Sequence, residues 1–421
     1  MSEATPETLN RAFLALLLAF FVNFLGYAFI VPILPSWQTQ FSLNATQATF
    51  LVSLWAVPLL LFGPFTGRIT DRFGAGSTVL VSLVLLTGSS LLYVVATNEA
   101  VGRPFLLLAL ARLLHGASGA TIMTAGLASA SQLWPTQFGE QAGKLLGVAA
   151  IGGLFGPVLG GVLFSWGEAS AFFVLALVTL AVVPVVFLAR HSINGSTNTP
   201  STTVSISVFF SDVILFRVGV LVAITTVATG ALEAGVPLFL DDALGLNSAQ
   251  IGGVLLVMVL MQGLGSIIWG KWVDKNGPTR YMIAGWTAVV CSLLGVGFAG
   301  SMLTGSSAIW AMVLLLGVFQ FSIAAAQIPM LPMIDTATNR ALGEGNPGLA
   351  FGVFGAAWAA GTILGPLLVG PVFDLFGSWA LALGGLAFPA SFALLITLRN
   401  KELLHDCYDE EIQKRKAKEA N

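Results

Sequence analysis

GRITDRFG at residues 67–74 and GKWVDKNG at residues 270–277 share one pattern, G-x-x-x-D-[RK]-x-G. Each copy follows a long apolar run, and each ends at a basic, glycine-closed turn. A second pair of strings repeats in step with them. FIVPIL lies around Pro32 and AGVPLFL around Pro237. One half of the chain therefore restates the other.

The composition says which solvent these halves meet. Charged residues are 9% of the 421, against about 25% in an average soluble domain. The apolar set is 56%, and mean hydropathy is +0.89. Too few polar side chains exist to coat a water-facing surface, so the chain is read as a lipid-embedded protein. A soluble enzyme, a disordered chain and a nucleic-acid binder are excluded; the net charge of −2 supplies no basic field. Cys291 and Cys407 form no disulfide framework, and no metal site or cofactor is expected.

A membrane helix needs about 20 mostly apolar residues. Twelve such segments are predicted: 12–34, 47–67, 77–97, 104–127, 144–164, 169–189, 213–239, 250–270, 281–300, 307–331, 349–371 and 379–398. Lipid gives backbone N–H and C=O groups no partners, and the segments do not alternate as barrel strands would, so helices are required. The expected fold is an all-α membrane protein with twelve transmembrane helices in two pseudo-symmetric six-helix bundles.

The bundles are placed at residues 1–189 and 213–398. A polar, Ser/Thr-rich cytoplasmic linker spans 190–212, and a cytoplasmic tail spans 399–421. With both termini inside, every Lys and Arg except Arg103 and Arg112 falls on the inner side, as the positive-inside rule requires. The acidic start, with Glu3 and Glu7, does not read as a secretory signal. Asn44-Ala-Thr46 is an acceptor sequon in an outer loop.

Ionisable residues inside the spans are few. A charge at mid-membrane costs roughly 2.5–3.5 kcal/mol on insertion scales and is kept for a reason. Arg112 and His115 lie in the fourth span and Glu233 in the seventh. An Arg112–Glu233 ion pair between the bundles would let each offset the other's desolvation, and protonating Glu233 would release it. Glu233, Arg112 and His115 are thus the proton-coupling candidates. A fixed staple is the alternative for the pair, and a satisfied interior imidazole is the alternative for His115. Substrate-binding candidates are Asn23, Tyr27, Trp55, Glu233, Gln262, Gln320, Gln327 and Trp358, a partly apolar set with few polar groups.

These residues carry a family resemblance over the whole chain apart from tail and linker. GRITDRFG resembles the loop signature of the major facilitator superfamily, with Ala75 and Gly76 where that signature has further basic residues. Gly152, Gly156, Pro157, Gly160 and Gly161 resemble the fifth-span motif of its twelve-span drug/proton antiporter branch. Arg112-Leu-Leu-His115-Gly116 is similar to that branch's R-x-x-Q-G. VPILP at 31–35 and LEAGVP at 232–237 are similar to strings of the vesicular amine transporters. Alignment with that subfamily places Asn23, Trp55, Gln327 and Gly355 where it carries three carboxylates and a lysine, so an ordinary monoamine substrate is not implied.

The resemblance implies alternating access. Gly67, Asp71, Arg72 and Gly74 would serve as a gating motif, Asp71 latching one state, with Asp274 as its counterpart. The glycines and Pro157 of the fifth span would permit close packing. The function expected is secondary active transport of a small drug- or amine-like organic solute, with proton antiport. The alternative is a proton-independent facilitator or uniporter of a neutral solute. No P-loop is present, so ATP is no partner. Lipid, protons and the solute are the expected partners of a monomer, in the plasma membrane or an intracellular vesicle membrane. An enzyme or receptor is not expected.

Overall fold

The computed structural model describes residues 6–98, 102–134, 137–194, 212–342 and 347–419. Secondary structure among them is helical throughout. The helices are α1 (Pro6–Phe29), α2 (Leu34–Gln40, after a 3-10 turn at Val31–Ile33), α3 (Ala45–Ser53), α4 (Ala56–Phe73), α5 (Ala75–Ala96), α6 (Pro104–Leu133), α7 (Phe138–Phe164) and α8 (Glu168–Ile193). Then come α9 (Val213–Leu244), α10 (Ser248–Asn276), α11 (Thr279–Met302), α12 (Gly305–Gln327), α13 (Met330–Leu342), α14 (Pro347–Phe376), α15 (Trp379–Gly384), α16 (Ala387–Arg399) and α17 (Lys401–Glu419). Eleven stretches are long and apolar enough to cross a membrane, and a twelfth results when the bent pair α3–α4 counts as one span.

The broken spans share one cause. The second piece of each carries proline at its third residue: Pro58 in α4, Pro332 in α13 and Pro389 in α16. Proline has no N–H for the carbonyl four residues back, and its ring collides with that carbonyl. The chain therefore turns at Leu54–Trp55, Ile328–Pro329 and Gly385–Leu386. The bend between α3 and α4 is 40°.

Two contact units emerge. Unit 1 gathers the described residues of Met1–Leu43, Leu54–Thr203 and Asn247–Gly253. Unit 2 gathers those of Asn44–Ser53, Val204–Leu246 and Val254–Asn421. The division expected from sequence differs at two places, because α3 counts with unit 2 and the first turns of α10 with unit 1. Residues 195–211 of the linker lie outside the described residues.

Unit 1 is cored by Leu16, Phe20, Val79, Leu83, Ile122 and Val186, all with no exposed surface. In its fifth span, α7 packs directly on the backbone of α1. A Cβ built at Gly152, Gly156 or Gly160 would stand 2.4, 2.6 or 2.1 Å from the carbonyl oxygens of Phe21, Leu25 and Phe29. Unit 2 repeats the device in the corresponding pair. A Cβ at Gly361 or Gly365 of α14 would stand 2.3 Å from the Ala223 or Val227 carbonyl of α9. Glycine at four-residue spacing is what lets helices in lipid approach this closely.

Candidate functional site

In unit 1 the polar candidates gather around α6. Asn23, Arg112, His115 and Ser118 are wholly buried. The Asn23 amide donates to Ser118 Oγ at 2.6 Å. Ser118 in turn donates to the Ser82 carbonyl at 2.7 Å and meets Ser82 Oγ at 3.1 Å. His115 Nε2 donates to the Asn23 carbonyl at 3.2 Å. Arg112 Nη1 donates to the Tyr27 carbonyl at 3.4 Å, and its guanidinium carbon lies 5.4 Å from the Tyr27 ring centre. One helical turn separates Arg112 from His115, so both reach α1 from one face of α6.

Tyr27 stacks at a tilt on Trp55, ring centres 4.2 Å apart, and His115 meets Trp55 edge-on at 6.5 Å. The glycines of α6 create this seat. A Cβ at Gly116 would stand 2.1 Å from the Trp55 carbonyl, and one at Gly119 would stand 2.9 Å from its ring. Gly26 of α1 leaves the matching space for His115, whose Cε1 lies 3.0 Å from where a Cβ would be. The R-x-x-H-G string thus sets an arginine, an imidazole and an unwound tryptophan carbonyl side by side. Asn23 Oδ1 and His115 Nδ1 are buried acceptor positions with no hydrogen-bond partner among the described residues.

In unit 2, Glu233 is half-buried on α9. Gln262 of α10 donates to Gln327 Oε1 at the end of α12, 3.4 Å away. Gln320, two turns earlier on α12, is 4% exposed, and its Oε1 has no partner among the described residues. Trp358 is half-buried on α14, and its carbonyl accepts from Thr362 Oγ1 at 2.9 Å. Gly355, one turn before Trp358, faces open space. The described residues contain no cluster of three metal-ligating side chains.

The loop motifs are completed by residues the sequence reading did not assign. Gly74 has φ +85° and so takes a conformation that favours glycine. A Cβ there would stand 2.6 Å from Asn194 Oδ1, and that oxygen accepts from Gly76 N–H at 2.8 Å. Gly76 itself lies under the Arg190 carbonyl, 2.0 Å from its would-be Cβ, which leaves no room for a basic side chain. Gly67 is buried, and Arg72 is exposed with its guanidinium 5.3 Å from the Phe73 ring centre. The Asp71 side chain lies outside those described. In the second copy Gly277 has φ +78°, and His405 of α17 fills the position held by Asn194 in the first, 2.6 Å from the would-be Cβ. Asp274 accepts from the Tyr408 hydroxyl at 2.7 Å.

Sequence reasoning also missed a second glycine motif. Gly361-Thr-Ile-Leu-Gly365-Pro366 repeats the G-x-x-x-G-P of Gly152, Gly156 and Pro157. The internal repeat would have located it, once the spans were laid side by side.

The comparisons with known proteins agree with this architecture. The Major Facilitator Superfamily profile matches residues 16–366 and 234–411. Multidrug resistance protein 2 of Bacillus subtilis (strain 168) is 26% identical over 405 residues, covering 93% of this chain and 96% of that protein. The MFS-type transporter SLC18B1 of Homo sapiens is 26% identical over 376 residues, covering 86% and 80%. Among solved structures, a bacterial homolog of the human lysosomal transporter Spinster superposes with a TM-score of 0.70 at 14% identity, over 97% of this chain and 98% of that one. A bacterial homologue of the iron transporter ferroportin gives 0.69 at 14%, over 97% and 99%. Those two likenesses establish the fold, and the profile establishes the family. With its helices, its duplicated motifs and these matches, the chain belongs to the Major Facilitator Superfamily of membrane transporters.

Proposed function

We propose that the protein exchanges protons for a drug- or amine-like organic solute by alternating access, with both termini cytoplasmic. The observation that carries the proposal is the complete burial of Arg112 in an apolar helix. A buried guanidinium is held by carbonyls and anions; besides the Tyr27 carbonyl, Glu233 is the acid available at mid-span in the seventh span, α9. Protonated Glu233 releases the arginine; ionised Glu233 recaptures it. A proton thereby acquires a differential affinity for two conformations, which is what coupling requires. His115 positions α1 through the Asn23 carbonyl.

The solute class rests on the relatives, among them the quinolone resistance protein NorA of Staphylococcus aureus (strain MSSA476), 23% identical over 377 residues. Gln320, the Gln262–Gln327 pair, Trp358 and Glu233 are the groups of unit 2 assigned to the solute, with Asn23, Tyr27 and Trp55 those of unit 1. The test is uptake of a fluorescent quinolone into proteoliposomes under an imposed pH gradient. Glu233→Gln is expected to abolish the response to the gradient while leaving exchange of solute for solute. A mutant that still follows the gradient would overturn the coupling role and favour a facilitator.

A further inference from the structure

Two helix starts in this protein are built to one plan. Leu43-Asn44-x-x-Gln47 opens α3, and Leu246-Asn247-x-x-Gln250 opens α10. In α3 the Asn44 N–H donates to Gln47 Oε1 at 3.0 Å, and the Gln47 N–H donates to Asn44 Oδ1 at 2.8 Å. In α10, Asn247 and Gln250 make the same reciprocal pair at 3.0 and 3.0 Å. Each start rests on a glycine ten positions into a duplicated G-x-x-x-G-P string. Gly161 of α7 receives the Ser248 carbonyl, 2.4 Å from its would-be Cβ. Gly370 of α14 receives Ala45 and Thr49, with Thr49 Oγ1 at 2.2 Å and the Ala45 carbonyl at 2.8 Å. These are the two segments whose contacts place them apart from the rest of their own spans.

The seats differ four residues beyond the last glycine. After Gly370 comes Asp374; after Gly161 comes Ser165. Asp374 accepts from the Ala45 N–H at 3.1 Å, the Thr46 N–H at 2.9 Å and the Thr46 hydroxyl at 2.5 Å. Charge-assisted acceptance at a helix N-terminus, where the helix dipole adds its attraction, is a strong form of cap. Ser165 instead donates back to its own helix, to the Val162 carbonyl at 2.6 Å. The α10 seat is left with a Ser36–Ser248 hydroxyl contact at 3.4 Å.

We propose that Asp374 is a positioning residue that latches the start of α3 onto α14, and that its absence from the equivalent place on α7 makes the α10 seat the looser of the pair. The span that begins with α3 continues into α4, which packs in unit 1. Movement of α4 in a transport cycle therefore has to break the Asp374 cap or bend the chain further at Leu54–Trp55. The two seats fall on one side of the membrane by span parity, so both hold the same conformation closed, and the carboxylate dominates. This inference rests on the alternating-access reading, but its test uses neither substrate nor proton gradient.

The experiment is maleimide labelling of Ser53→Cys in detergent, in a background of Cys291→Ser and Cys407→Ser. Ser53 is 1% exposed on α3. Asp374→Ala is expected to raise the labelling rate about fivefold, the ratio that loss of a typical cap produces. Asp374→Asn, which keeps an acceptor without the charge, gives a smaller rise. Adding Ser165→Asp to Asp374→Ala lowers the rate again, because a carboxylate at the other seat holds the same state closed. Local fraying of α3 would not respond to that distant change. A rate within twofold of the parent in Asp374→Ala overturns the latch, as does a raised rate indifferent to Ser165→Asp. If Asp374→Ala does not fold, Asp374→Asn and Thr46→Val carry the test, and unchanged rates in both overturn it. A latch confirmed in a protein that moves no solute would leave this inference standing while the proposed function fell.

Discussion

Tyr408 of the tail donates its hydroxyl to Asp274 of the second loop motif at 2.7 Å. The contact turns α17 from a trailing segment into part of unit 2. Leu404 and Cys407 are wholly buried beside it, and Arg340 of α13 pairs with Glu410. The Glu410 carboxylate raises the Arg340 pKa above its ordinary value by hydrogen bond and charge, so that cation stays charged at any working pH. Tyr408→Phe removes a hydrogen bond to a carboxylate and is expected to cost about 1–2 kcal/mol. Deleting residues 401–421 removes the apolar contacts as well and costs more. Thermal unfolding of the purified protein checks both, and a midpoint unchanged by the deletion would show that the tail is not part of the packed unit.

The halves close their loop motifs with unlike residues, Asn194 at Gly74 and His405 at Gly277. Gly74→Ala meets a positive φ with extended ψ, worth about 1–3 kcal/mol against any L side chain, and then collides with the Asn194 amide. A stability loss above that range is expected for the single mutant. Asn194→Gly in the same chain should recover only the steric part, since the backbone strain remains. Equal losses in single and double mutants would mean that the Asn194 approach carries no energy. The comparison is made by thermal unfolding in one detergent.

Close packing through glycine carbonyl contacts gives a sharper contrast. Gly156→Leu and Gly365→Leu place side chains where the Leu25 and Val227 carbonyls stand 2.6 and 2.3 Å from the Cβ position. Backbone of a packed helix cannot yield by that much, so neither variant is expected to give a monodisperse peak on size exclusion. Gly153→Leu points into open space on the same helix and should behave as the parent, within about 0.5 kcal/mol. A folded Gly365→Leu protein would show that α9 and α14 can separate without loss.

Most of the architecture could be read from the chain because lipid permits so few solutions. Long apolar runs must be helices; the breaks before Pro58, Pro332 and Pro389 are not legible in it, since Pro157, Pro184 and Pro237 lie inside unbroken helices. The duplicated G-x-x-x-D-[RK]-x-G fixed the two-part plan. What escaped the reading depended on contacts between distant segments. Asn44 reads as a glycosylation acceptor, and nothing in the sequence reading gave its oxygen the capping role it takes with the Gln47 N–H. The polar composition of residues 399–421 gives no hint that Leu404 and Cys407 are buried. The second glycine motif was hidden for a different reason: Thr362 and Val369 replace Gly153 and Gly160 of the first copy, so only Gly361, Gly365, Pro366 and Gly370 remain to be aligned. Among the site candidates, ionisable residues stood out by rarity. Asn23, Ser82 and Ser118 form a chain of bonds that no spacing rule joins.

That chain separates a packing role from a transport role for Asn23. Ser118 accepts the Asn23 amide, so Ser118→Ala leaves a buried N–H without its acceptor, at about 1–3 kcal/mol. Asn23→Leu removes donor and acceptor together. The pair Asn23→Leu with Ser118→Ala is therefore expected to destabilise by less than the sum of the single changes, a coupling of about 0.5–3 kcal/mol for residues in direct contact. Transport gives the second axis. Asn23 Oδ1 is buried with no partner among the described residues, and a solute donor is the use proposed for it. Asn23→Leu should then raise the KM for the quinolone, and Ser118→Ala, which leaves Oδ1 in place, should leave KM near the parent value. If both variants shift KM alike in proportion to their loss of stability, Asn23 is a packing residue and the solute is bound by other groups.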